Sequence, residues 1–191
     1  GAAEKTVQTN TTPPSFMAVA RNMWATKSLR HVVAGGSLAA FVGYGMVLWL
    51  PAYFVRSHGL SQTEVGFTLA FLYGIIGGIG TFCSGVIADR MSARDMRWNL
   101  WVVAIGLTLV VPLAVASFLV ETTWLAIALF CIPAFCSGFY IGPGFSAIQS
   151  LVPVRMRSVS AAINLFLTNL IGLGIGPQLV GVLSDYFKTD Y

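Results

Sequence analysis

Gly85-Val86-Ile87-Ala88-Asp89-Arg90-Met91-Ser92-Ala93-Arg94-Asp95-Met96-Arg97 lies between two long apolar runs, residues 65–88 and 99–120. Each run exceeds the ~20 residues a helix needs to cross the hydrocarbon core. The stretch therefore joins two membrane spans. Arg90, Arg94 and Arg97 put it on the cytoplasmic side, where short loops collect Lys and Arg.

Composition carries this beyond one loop. The chain has 191 residues, 56% hydrophobic and 9% charged, with a mean hydropathy of +0.77. Soluble domains carry about 25% charged residues, so this chain cannot cover a water-facing surface. The net charge of +4 sits on loops between apolar runs, which argues for topology and against a nucleic-acid partner. Cys83, Cys131 and Cys136 all fall inside apolar runs, where a thiol acts as a small hydrophobe. The expectation is an all-α integral membrane protein with about five transmembrane helices, its partner the lipid bilayer.

Residues 1–31 read as a cytoplasmic linker and residues 32–191 as the transmembrane bundle. The first stretch is polar and Thr-rich up to Ser15, which is placed to cap a helix starting at Phe16. Phe16, Val19, Ala20, Met23 and Trp24 follow helical spacing. They fit a helix lying in the membrane interface, or equally a lead-in to the first span. The spans are expected at about 32–55, 65–88, 99–120, 124–148 and 159–183, none containing Lys, Arg, Asp or Glu. Trp49, Tyr53, Trp98, Trp101 and Trp124 lie towards span ends, where such rings prefer the headgroup layer.

Charge sets the orientation. Lys5, Arg21, Lys27, Arg30, Arg90, Arg94, Arg97, Arg155 and Arg157 fall on one side, and Arg56 and Lys188 on the other. Nine of the eleven basic residues thus mark the cytoplasmic side, with the amino terminus there. The plasma (inner) membrane is the expected location.

The opening stretch also resembles the signature loop of the major facilitator superfamily, G-x-x-x-D-R-x-G-R-R/K. Gly85, Asp89, Arg90 and Arg94 match it; Ser92 and Ala93 depart from it. The fifth span carries Gly172-Leu-Gly174-Ile-Gly176-Pro177-Gln178-Leu-Val-Gly181, similar to that superfamily's glycine-proline motif. Residues Gly43-Tyr44-Gly45 through Gly59-Leu60-Ser61 most resemble spinster-like members. The resemblance implies part of a secondary active transporter that moves a small organic or amphipathic solute by alternating access. Facilitator halves have six spans built as inverted repeats. Five spans then imply an incomplete second half, with the amino-terminal half and a final helix as missing partners. A small molecule is the implied substrate and no cofactor is expected.

The same resemblance assigns roles. Gly85, Asp89, Arg90 and Arg94 become a gating loop, and Gly172, Gly176, Pro177 and Gly181 a helix-packing motif. Tyr44, Ser137, Tyr140, Asn164, Thr168 and Asn169 become candidates for a substrate pathway. Residue chemistry supports these candidates without deciding them. Polar groups at membrane depth face protein or a water-filled cavity, and an interhelical hydrogen bond explains Asn164 and Asn169 equally well. Gly74, Gly77, Gly78 and Gly80, with one Gly-x-x-x-Gly spacing from Gly74 to Gly78, point to close helix packing in the second span. His31 and His58 read as solvated residues at span ends.

Two other classes stand beside transport. An intramembrane enzyme needs ionisable or metal-binding groups at depth, which the spans lack; the chain is not expected to be an enzyme. A membrane interaction or assembly protein fits the glycines but leaves the arginine loop unexplained.

Overall fold

The computed structural model describes residues 15–188, and every regular element among them is helical. The linker expected over residues 1–14, with Lys5, lies outside the described residues, as do residues 189–191.

Five helices are long and apolar enough to cross a membrane: span 1, Lys27–His58; span 2, Gln62–Ser92; span 3, Trp98–Phe118; span 4, Thr123–Leu151; and span 5, Val154–Phe187. All but span 3 run longer than the apolar stretches expected above, since polar residues flanking those stretches continue the helices. Span 1 ends at Gly59, whose φ of 65° is left-handed and free of Cβ strain. Span 2 begins at once with a capping box: Ser61 N donates to Glu64 Oε2 at 2.8 Å, and Glu64 N to Ser61 Oγ at 3.3 Å.

The short helix Phe16–Ala25 precedes span 1 and is capped by Ser15, whose Oγ accepts from Ala18 N at 3.3 Å. Thr26 is extended and separates it from span 1. Val19 and Met23 bury against Leu29, Val33, Ile148, Val152 and Ile163. The helix thus closes one end of the bundle across spans 1, 4 and 5.

Spans 2, 3 and 4 pack together, and spans 1 and 5 pack together. Glycines set both contacts, and in span 2 only part of the expected set takes part. Gly74 and Gly78 have open space around them. The close approach falls on Gly80, where a Cβ would overlap the Phe135 carbonyl, and on Gly138, where it would overlap Thr81 Oγ1. On the other side, a Cβ at Gly172 would lie 2.7 Å from Tyr44 Cδ2, and one at Gly176 2.8 Å from the Phe41 carbonyl oxygen.

Three spans depart from regular α-helix. Span 2 contains a π segment, Ala70–Ile76, and span 5 another, Leu170–Ile175. Span 4 tightens into a 3-10 turn at Gly138–Tyr140. Two of these irregularities precede a proline, Pro143 and Pro177. Proline has no N–H for the carbonyl four residues back and crowds it sterically, so the ladder is loosened there.

Candidate functional site

The irregular segments bring side chains into a cavity of about 570 Å³ between span 1 and spans 2, 3 and 4. That volume lies within the range of small-molecule pockets, roughly 300–1,000 Å³. Tyr44 enters from span 1, Ser137 and Tyr140 from span 4, and Tyr73 and Thr81 from span 2. Leu107 and Val110 of span 3 and Pro133 of span 4 complete an otherwise apolar wall. The lining holds no charged side chain.

Several wall hydroxyls are already engaged with the backbone. Ser137 Oγ donates to the Ala134 carbonyl at 2.7 Å, and Thr81 Oγ1 to the Gly77 carbonyl at 2.9 Å. Both oxygens keep lone pairs for a donor in the cavity. Tyr44 Oη donates to Asn169 Oδ1 at 3.1 Å, and Asn169 Nδ2 donates to the Leu165 carbonyl at 2.8 Å. Asn169 therefore holds the phenol in place from behind the wall. The arrangement suits a solute with a large apolar body and a few neutral polar groups. It offers no fixed positive charge to an anion.

Asn164 and Thr168 do not join the cavity lining. They lie with Ser160 and Gly172 along the buried face of span 5, recurring every four residues. Gly172, at the end of that row, sits against Ala40 and Tyr44 of span 1. The Ser160 and Thr168 hydroxyls have no hydrogen-bond partner among the described residues. Tyr73 and Thr81 were not singled out from the sequence; a phenol in an apolar run reads as packing, and the π segment that carries Tyr73 has no residue signature.

The arginine stretch is shorter as a loop than the sequence suggests. Helix continues through Ser92, so Gly85, Asp89 and Arg90 occupy its last two turns, and Arg94 lies in the turn that follows. Asp89, Arg90 and Arg94 are exposed. Ser92 Oγ donates to the Asp89 carbonyl at 3.3 Å, and Asp95 Oδ1 accepts from Arg97 N at 2.9 Å, which closes the turn.

At the opposite end, His58 is no solvated loop residue. Its ring is half-buried, with Nε2 2.9 Å from Tyr53 Oη and Nδ1 3.2 Å from Thr123 Oγ1. Tyr53 Oη donates in turn to the Ser117 carbonyl at 3.3 Å, and its ring packs on Phe118 and Phe130. The ends of spans 1, 3 and 4 are tied there. Trp49 is likewise turned inward, donating from Nε1 to the Pro177 carbonyl at 3.1 Å. Trp124 is 81% exposed, as an interface anchor is.

Residues 2–177 match the family described as Major Facilitator Superfamily. An MFS-type efflux pump of Mycolicibacterium smegmatis is 34% identical over 169 residues, covering 88% of this chain and 39% of the pump. A putative metabolite transport protein of Haemophilus influenzae is 27% identical over 178 residues, covering 92% of this chain and 42% of that protein. The chain thus spans well under half the length of these curated relatives. The fold is similar to that of a bacterial homolog of the human lysosomal transporter Spinster, crystallised inward-facing and unoccupied. The TM-score is 0.81 at 27% identity, covering 91% of this chain and 36% of that one.

Proposed function

This chain belongs to the Major Facilitator Superfamily, and from that premise we propose that it forms part of a secondary active transporter for a small amphipathic organic solute. The observation that carries the reading is the cavity where Tyr44, Tyr73 and Tyr140 meet an apolar wall with no charged side chain. The probable galactarate/D-glucarate transporter of Escherichia coli, 24% identical over 144 residues, is a poor guide to the substrate here. A sugar diacid asks for cationic partners that this wall does not supply. Alternating access would pass the solute between this bundle and the other half of the transporter, with Tyr44, Ser137 and Tyr140 on the pathway. Asn164, Thr168 and Asn169 would act behind it, at the contact between spans 1 and 5. The orientation proposed has the amino terminus cytoplasmic, in the plasma (inner) membrane.

Two measurements test this. A fluorescent lipophilic solute should bind the reconstituted chain, and Leu107→Trp, which fills the cavity, should weaken binding about tenfold, ~1.4 kcal/mol. Galactarate should not compete. Binding untouched by the tryptophan, or competition by galactarate, overturns the substrate class. In liposomes, the chain alone should catalyse no solute flux, because the pathway needs both halves. Flux from the chain alone would remove the two-half reading.

A further inference from the structure

We propose that the outward face of the helix Phe16–Ala25 is a seat for anionic phospholipid, with its apolar stripe among the acyl chains and its arginines on headgroup phosphates. The helix carries more apolar surface than the bundle covers. Val19 and Met23 are fully used in the contact with spans 1, 4 and 5. Phe16, Met17 and Trp24 lie on the adjoining face and are 63%, 66% and 72% exposed. Large apolar side chains clustered in this way mark an interaction surface.

Position and charge say what covers it. Asn22 Nδ2 donates to Met156 Sδ at 3.4 Å, which ties the helix to the turn where span 5 begins. Span 1 begins at Lys27, with only Thr26 between. The helix therefore sits at the height where spans leave the bilayer, which is where amphipathic helices insert. The Asn22–Met156 contact also joins two basic segments. Residues 15–31 carry Arg21, Lys27 and Arg30 and no Asp or Glu; residues 152–159 carry Arg155 and Arg157 and no Asp or Glu. Arg21, Arg155 and Arg157 are all exposed. A protein partner would have to be acidic, apolar and at bilayer height at once, whereas an anionic leaflet combines the three.

The test uses the full chain with Cys83, Cys131 and Cys136 replaced by Ser, in vesicles of phosphatidylcholine with or without phosphatidylglycerol. A nitroxide at Met17→Cys should be reached by oxygen and shielded from a water-soluble nickel complex. One at Ala18→Cys, exposed on another face, should show the reverse. Nickel access at both sites, or spin–spin broadening that reports a second copy, overturns the proposal. For the headgroup, phosphatidylglycerol should raise the unfolding temperature in detergent more than phosphatidylcholine does. The difference should vanish in the triple variant Arg21→Gln, Arg155→Gln, Arg157→Gln. An undiminished difference in that variant, or an equal effect of glycerol phosphate, rules out a lipid seat on these arginines.

Discussion

Tyr44 of span 1 donates a 3.1 Å hydrogen bond to Asn169 of span 5, at the threshold of the π segment Leu170–Ile175. One polar side chain at depth thus satisfies another and fixes the phenol on the cavity wall. Interhelical bonds of this kind contribute ~0.6 kcal/mol on average and up to ~1.7. A double-mutant cycle of Tyr44→Phe and Asn169→Leu, read by unfolding in mixed micelles, should show coupling in that range. Strict additivity would mean that the contact contributes nothing to folding.

Glycine substitutions should separate contact faces from lipid faces. Gly176→Ala places a methyl 2.8 Å from the Phe41 carbonyl oxygen, and backbone cannot swing aside. A loss of ~1–3 kcal/mol is expected from overpacking. Gly78→Ala meets nothing within 4 Å and should be neutral or slightly stabilising, since alanine is the better helix former. Equal losses at both sites would contradict the packing described.

Topology is tested by thiol labelling in intact cells on a background free of native cysteines. The proposed orientation puts Ser92→Cys on the cytoplasmic side, protected from an impermeant reagent, and Gln62→Cys outside and reactive. The reverse pattern would invert the assignment of every span.

Asp89 carries the conformational prediction. It is exposed on the last turn of span 2, and the resemblance to the superfamily's signature loop implies that it faces the amino-terminal end of a helix in the other half. A carboxylate beside a helix amino terminus is worth ~0.3–1 kcal/mol, up to ~2 when partly buried. We propose that it biases the transporter towards the state closed on the cytoplasmic side; ~1.4 kcal/mol shifts the population ratio about tenfold. In the transporter that contains this chain, Asp89→Asn should slow turnover and raise labelling of Ser150→Cys from the cytoplasm. Wild-type values for both would leave Asp89 as a solvated surface charge.

Five spans, their order, and the helix capped by Ser15 are legible in residue order alone. These are local properties: a run of apolar residues long enough to cross hydrocarbon is legible whatever its neighbours are. The sequence also carried the family, through Gly85, Asp89, Arg90 and Arg94. Facing was not legible. Span 3 is apolar nearly all round, so no polar side marks which face packs; Gly106 and Ala114 are buried there while Trp101 and Val111 are exposed. In span 2, Gly74, Gly77, Gly78 and Gly80 all offered themselves for close packing; the Gly-x-x-x-Gly pair Gly74 and Gly78 is open, and contact falls on Gly77 and Gly80. The π segment Ala70–Ile76 is the physical reason such spacing misleads. It takes more residues per turn than an α-helix, so everything after it rotates away from the direction a 3.6-residue period assigns. That rotation, with the partner spans it turns towards, sets Thr81 on one wall with Tyr44, Ser137 and Tyr140, and Tyr73 joins them from the π segment itself; Asn164 and Thr168 precede the π segment of span 5 and lie on that span's buried face.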